Sequence, residues 1–337
     1  MRGLRIFAPG KLFVVGEYAV LDGGRALVAA LDAGIRCDAE EEGVWRLVAP
    51  DLGVELRAGT PGELVASANG SGAARLLAAA IQVGARELGC RSPLRLRVYA
   101  THPWLRTKSG LGGSSAAVVA VLGAVAAATG ADLGSSTVRE RLVTIGADVQ
   151  RAHQGGRGSG ADVAASVHGG WIASMRGASA VEPVRVPAEL GITAAWSGVS
   201  SDTATALDAF AEFVRTPAGR GVVESLHTIL ERFWRALAED DRDGVVAAVS
   251  AYGHALAELA RGTHASGIAE IDALVSAARA AGAGAKSSGA VGGDCAIAVA
   301  FERERLVDTE RRWHGLDARV LDAQVDLGGV RLEPADA

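Results

Sequence analysis

Residues 108–117 constrain the fold of this chain more than any other stretch. They read Lys108-Ser109-Gly110-Leu111-Gly112-Gly113-Ser114-Ser115-Ala116-Ala117 and lie between an alternating segment, 94–100, and an apolar run, 116–130. The alternation of LRLRVYA predicts a half-buried strand. The apolar run falls short of the roughly 20 residues of a membrane span and contains glycine, so it predicts a buried helix. A glycine-rich loop between strand and helix lets backbone approach a ligand closely and reach conformations closed to other residues. The helix start adds unpaired N–H groups and a positive dipole end, which suits an anion and phosphate best. Ser114 or Ser115 can cap the helix or reach a magnesium ion, and Lys108 can span phosphate oxygens. Two phosphate-loop patterns are excluded. The lysine precedes the glycines instead of closing the loop, and serine takes the third glycine position of the dinucleotide fingerprint. The plain alternative is a flexible turn with a serine cap.

Three further segments share this chemistry. Gly155-Gly156-Arg157-Gly158-Ser159-Gly160-Ala161-Asp162 puts a carboxylate just after a glycine loop at an expected helix start. Asp162 is either a helix cap or faces the phosphate site with Arg157 nearby as an anion ligand. Residues 285–295, AKSSGAVGGDC, pack small side chains densely enough for close backbone approach to a ligand. Ala8-Pro9-Gly10-Lys11-Leu12, followed by Gly16-Glu17-Tyr18, is a surface turn when taken alone and gains weight beside the other three.

The chain has 337 residues, 49% hydrophobic and 22% charged, a globular balance able to bury a sizeable core. With aromatics at 4%, that core is aliphatic and built on helix–sheet packing. A net charge of −5 argues against a general nucleic-acid binder. Cys37, Cys90 and Cys295 are far apart and odd in number, which fits a reducing compartment without disulfides or zinc. The N-terminus lacks the apolar stretch of a secretory signal, so a cytoplasmic protein without membrane contact is expected.

Strands are expected at 4–8 and 12–15, separated by a turn at Pro9-Gly10, and at 26–37, 44–48, 54–56, 94–100, 170–174, 191–198, 295–301 and 318–325. Helices are expected at 71–88, 116–129, from the capping-box pair Thr137 and Glu140 to about His153, and at 162–167, 219–239, 243–261 and 267–281. A composition shift near Pro183 and Pro187 divides the chain into lobes at 1–185 and 186–337, both α+β.

The four motifs, in this order and spacing, resemble the GHMP kinases, a superfamily that includes galactokinase, homoserine kinase, mevalonate kinase and phosphomevalonate kinase. The likeness runs from residue 8 to about 301. Within it, residues 10–21, 158–170 and 285–301 look most like the phosphomevalonate kinase branch, the Gly-Gly-Asp-Cys ending of the last being the most telling. Residues 200–205, SSDTAT, look like a small-residue loop leading the second lobe.

The resemblance implies the GHMP kinase fold: an N-terminal lobe like a ribosomal-protein domain and a ferredoxin-like C-terminal lobe, with ATP and acceptor meeting between them. It implies ATP-dependent phosphorylation of mevalonate 5-phosphate. Another GHMP kinase such as mevalonate kinase or a sugar kinase is the alternative, and a non-catalytic binder on this fold a more distant one. The chain would act on a small phosphorylated acceptor, as a monomer or a homodimer.

By the same resemblance Asp162 is the catalytic aspartate, Lys11 supports it or the acceptor, and Lys108 neutralises the transferred phosphoryl. Gly110, Leu111, Gly112, Gly113, Ser114, Ser115 and Ala116 hold the ATP phosphates, and Ser114 (alternatively Ser115) meets magnesium. Tyr18, His153, Arg157, Ser159, Ser288, Gly289 and Ala290 line the acceptor. Three departures stand out: the additional Gly113 before the serines, Val291 where relatives have glycine, and no match around Gln150 for a magnesium-binding glutamate.

Overall fold

The computed structural model of the chain describes residues 3–106, 109–156, 158–175, 182–200, 203–289 and 294–334. The first part runs β1 (Leu4–Val15), β2 (Ala26–Glu41), β3 (Trp45–Ala49), β4 (Val54–Ala58), α1 (Pro61–Ser67), α2 (Gly72–Leu88), β5 (Leu94–Ala100), α3 (Gly113–Ala128), α4 (Ser136–His153), α5 (Ala161–His168), β6 (Trp171–Ser174) and β7 (Glu182–Pro183). The second runs β8 (Gly191–Trp196), α6 (Thr203–Phe213), α7 (Pro217–Ala238), α8 (Arg242–Gly262), α9 (Ile268–Ala280), β9 (Gly284–Ser288), β10 (Cys295–Ala300), α10 (Arg303–Gly315), β11 (Arg319–Val320) and β12 (Arg331–Glu333).

An eight-stranded sheet has the order β12-β1-β2-β5-β3-β4, with β6 joined to β2 and β7 to β6. Its β3–β5 pair is parallel, while β1–β2 and β2–β5 are antiparallel. A second sheet, β11-β8-β10-β9, is antiparallel throughout. The α+β fold expected from the sequence is present, with one sheet at the heart of each lobe.

The apolar run forms α3, and every residue from Val118 to Ala126 is buried. A helix hydrophobic on all sides belongs in an interior, and small residues let its neighbours close on it. A methyl group added at Gly84 of α2 would lie 2.8 Å from Leu122, and one at Gly123 2.9 Å from Val330. Helices α7 and α8 bring Leu226, Leu230, Phe233, Tyr252 and Leu256 against Val14, Val15, Leu27 and Ala29 of the first sheet, so the lobes share a core. On the second sheet, α9 and α10 close around Trp313, which is fully buried and donates its indole N–H to Leu274 O at 2.8 Å. No described helix is long and apolar enough to cross a membrane.

Several expectations are corrected. The turn at Pro9-Gly10 is a bulge inside one continuous strand, where the β1–β2 register shifts. Gly10 is needed there, because a Cβ would lie 2.6 Å from Ala33 O and 2.7 Å from Leu111 O. The helix at 137 begins at Ser136 without a side-chain cap bond, whereas Thr60 and Glu63, not singled out in the sequence, form a true capping box on α1. Residues 200–205 are not a loop throughout, since α6 starts at Thr203. The start of the small-residue segment 285–295, for which no strand was expected, belongs to the buried strand β9. Helix α10 was not expected, because it buries only Thr309 and Trp313 of thirteen largely charged residues. The chain end does not stay with the second lobe: β12 pairs with β1, Arg5 opposite Glu333 and Phe7 opposite Arg331.

Candidate active site

Where the two sheets meet, a cleft of about 750 Å³ is walled by the glycine loop, β1, α2, α5 and the ends of β9 and β10. Gly112 sits at φ +75° as the N-cap of α3, and a Cβ there would lie 2.7 Å from Lys11 Cγ. Gly110, also at φ +75°, would put a Cβ 2.7 Å from Asp294 Cβ. These two positions require glycine for conformation and for space alike. The loop is stitched to β1, because Lys11 N–H donates to Leu111 O at 2.8 Å and Lys11 Nζ to Gly110 O at 2.9 Å. The bulge at Gly10 therefore delivers Lys11, itself buried, onto the underside of the loop. The first turn of α3, Gly113 to Ser115, borders the cleft with N–H groups that no preceding helical carbonyl can satisfy.

Asp162 faces the same cleft. It does not cap α5: Gly160, at φ +80°, takes that position. Its Oδ2 accepts a short hydrogen bond from Ser115 Oγ, and its Oδ1 accepts from Val163 N–H at 3.0 Å. Ser115 in turn accepts from Gln150 Nε2 at 2.7 Å. Gln150 and Ser115 are buried, so a neutral amide directs the serine proton onto the carboxylate. Helix α5 is tied back to β1 by Ser166 Oγ donating to Pro9 O at 2.7 Å, which fixes Asp162 relative to Lys11.

The remaining expected residues fall as follows. Ser114 is exposed on the cleft, while the hydroxyl of Ser115 is already committed. Tyr18 lines the cleft with its ring 4.8 Å from that of Phe210, and Ser159 lines it while accepting from Ala161 N–H at 3.3 Å. His153 also lines it, beside Gly72 at the start of α2. Gly289 lines the cleft, but the Ser288 hydroxyl is committed to β1, 3.2 Å from both Phe13 N and Phe13 O. Ala116 is buried behind the loop as the start of the α3 core face. Lys108, Arg157 and Ala290 lie outside the described residues.

The structure also brings to the site groups that the sequence reading named without giving them a role there. Besides Gln150, Asp294 stands against the loop at Gly110 and Gly289, buried at φ +61°. Glu17, on the cleft wall, is paired with Lys286 of β9, and both are almost completely buried. Burial drives the Glu17 carboxyl up and the Lys286 ammonium down from their ordinary values, against the pull of each on the other. Gly72, Ala73, Leu76, Val98 and Ala100 give the cleft apolar lining, and Glu17, Tyr18, Leu21 and Leu207 form a further part of its wall. Such a site can hold a polyanion on backbone N–H groups, a flat apolar group and a small polar molecule.

Comparison with known proteins agrees with this geometry. Residues 71–170 match the family model of the GHMP kinases N terminal domain. The chain is 34% identical to phosphomevalonate kinase of Streptomyces sp. strain CL190, covering 96% of this chain and 97% of that one. It is 30% identical to mevalonate kinase of Aeropyrum pernix, covering 98% and 99%. Among solved structures, Streptococcus pneumoniae phosphomevalonate kinase in complex with phosphomevalonate and AMPPNP superposes with a TM-score of 0.78 at 20% identity, over 96% of this chain and 100% of that one. A strand-to-helix glycine loop, a carboxylate across it and full-length likeness to two kinases of one kind lead to one conclusion: the chain is a phosphotransferase of the GHMP kinase family.

Proposed function

We propose that the protein transfers the terminal phosphoryl group of ATP to the phosphate of mevalonate 5-phosphate, giving mevalonate 5-diphosphate and ADP. The observation that carries this reading is that Lys11 and Asp162 line one cleft, Lys11 bonded to the glycine loop at Gly110 and Asp162 to Ser115 in the helix turn that follows it. The full-length similarity to a phosphomevalonate kinase supports the choice of acceptor.

In this reading the triphosphate lies along the loop, its oxygens on the N–H groups of the α3 first turn, with adenine against the apolar lining near Gly72 and Leu76. The acceptor lies near Glu17, Tyr18 and Leu207. An oxygen of its phosphate attacks the terminal phosphorus, and the bond to the bridging oxygen of ADP breaks. The attacking oxygen is already ionised near neutral pH, so no proton needs to leave it. Catalysis then rests on positioning and charge. Lys11 uses one of its three N–H donors on Gly110 O, leaving two for phosphate oxygens. Lys108, at the loop entrance, would share the charge of the transferred group. The open hydroxyl of Ser114 and the carboxylate of Asp162 suit a hard cation, and would hold magnesium. That ion supplies neutralisation of phosphate charge when bound. Asp162, fixed by the Ser115 hydroxyl and Val163 N–H, orients the acceptor side.

The test is ATP turnover over a panel of mevalonate 5-phosphate, mevalonate, galactose and homoserine. Turnover with mevalonate 5-phosphate at least ~100-fold above the others in kcat/KM is expected. Activity on mevalonate but not on its 5-phosphate would refute the assignment and make Asp162 a general base.

A further inference from the structure

Lys286 is fully buried and does not reach the cleft, yet every contact its ammonium makes bears on a residue that does or on the strand beside it. Its Nζ donates to Glu17 Oε1 and, at 2.6 Å, to Ser287 O. Glu17 belongs to the first lobe, in the turn after β1, and Lys286 to β9 of the second. Tyr252 of α8, also fully buried, donates its hydroxyl to Glu17 O at 2.7 Å. One strand residue on from Ser287, the Ser288 hydroxyl grips the Phe13 backbone. Burying a lysine and a glutamate away from water is unfavourable unless geometry and hydrogen bonds are good, and apolar residues would fill the same space at least as stably. Here the second oxygen of Glu17, Oε2, has no partner among the described residues, so the pair is not optimised for stability. What it does achieve is a fixed spacing. β1 at Phe13 and the turn after it at Glu17 are both held against β9, and Gly289 follows directly on the clamped strand.

We propose that Lys286 is a positioning residue for phosphoryl transfer, an ionic clasp between the lobes that sets the acceptor part of the cleft through Glu17 and Ser288. The inference rests on the kinase reading. Glu17 belongs to both the clasp and the cleft wall, whereas Lys286 and Tyr252 border no part of the cleft, so Y252F, which leaves Glu17 in place, reads the clasp by itself.

The experiment compares wild type, K286M, the neutral pair E17Q/K286M, and Y252F, measuring thermal midpoint, KM for ATP, KM for acceptor and kcat. K286M strands the buried carboxylate and is expected to lower both midpoint and turnover. E17Q/K286M is expected to recover the midpoint but to stay at least ~10-fold down in kcat/KM for the acceptor, with KM for ATP within ~3-fold of wild type. Y252F keeps the ion pair and its shape, and a several-fold rise in acceptor KM alone is expected of it. A neutral pair with wild-type midpoint and wild-type kinetics overturns the clasp. Should neither Lys286 variant fold, unchanged acceptor KM in Y252F overturns it instead. A wild-type protein that turns over ATP with no acceptor of the panel sinks the kinase reading, and the clasp's role with it. A wild-type enzyme that is active while the neutral pair is equally active sinks the clasp alone.

Discussion

Replacing Gly112 by alanine tests the site at the point where backbone conformation and the proposed role of Lys11 meet. Two effects act there. An L-residue at φ +75° carries a left-handed penalty of roughly 1–2 kcal/mol. Separately, the new methyl group would stand 2.7 Å from Lys11 Cγ and 3.1 Å from Cε, whereas ordinary contact begins at 3.4 Å. Lys11 must therefore shift by about 0.7 Å, and its ammonium must leave Gly110 O or drag the loop with it. Misplacing a reacting group by ~1 Å can cost ~100-fold in rate, equivalent to ~2.7 kcal/mol of barrier. The Gly53→Ala variant isolates the first effect, since Gly53 has φ +62° with nothing within 4 Å of an added Cβ. In chemical denaturation Gly53→Ala should lose about 1–2 kcal/mol, the left-handed penalty alone, and Gly112→Ala at least as much. In steady-state assays with ATP and mevalonate 5-phosphate, Gly53→Ala should keep wild-type kcat while Gly112→Ala loses ~30- to 100-fold. Equal kcat in the two variants would refute the argument that the loop places Lys11.

Two other predictions bear on Asp162 and the serine that holds it. Asp162→Asn keeps shape but removes charge, and should lower kcat by ~100-fold or more with little change in thermal midpoint. Ser115→Ala leaves the buried Gln150 amide without its acceptor, so it should cost ~1–3 kcal/mol in denaturant unfolding and also reduce kcat, because Asp162 loses its hydroxyl donor. His168 supplies a pH test. Burial, and then the nearby Arg139 charge, push its imidazole below the ordinary 6.5, so the folded chain binds that proton more weakly than the unfolded chain. Its contribution to stability is complete above 6.5 and is lost as pH falls through the lowered folded value. His168→Gln should therefore flatten the decline of thermal midpoint between about pH 7.5 and about pH 5.5 relative to wild type, and an unchanged slope would remove His168 as the cause.

What could be read from the sequence was local. Residues 94–100 and 71–88 carry their period and stop signals within themselves, and they fold as β5 and, from Gly72 to Leu88, as α2 with Gly89 at the C-cap. The glycine loop was legible for the same reason, since conformation and close approach are demanded residue by residue at Gly110 and Gly112. Aspartate 162 was legible as a carboxylate near a loop, but not as the acceptor of a serine held by Gln150, because those residues lie 47 and 35 positions apart.

The pieces that stayed hidden take their meaning from distant partners. β9 has the composition of a loop and becomes a strand only by pairing with β10, after which Lys286 has nowhere to go but toward Glu17, 269 positions away. Likewise β12 is three residues with one more neighbour than its own sequence could name, namely β1 at the other end of the chain. Local propensity and glycine stereochemistry thus determined the elements and the glycine loop. Only the tertiary fold decided which buried charges face each other, because an ion pair is a property of space, and sequence separation carries no information about it.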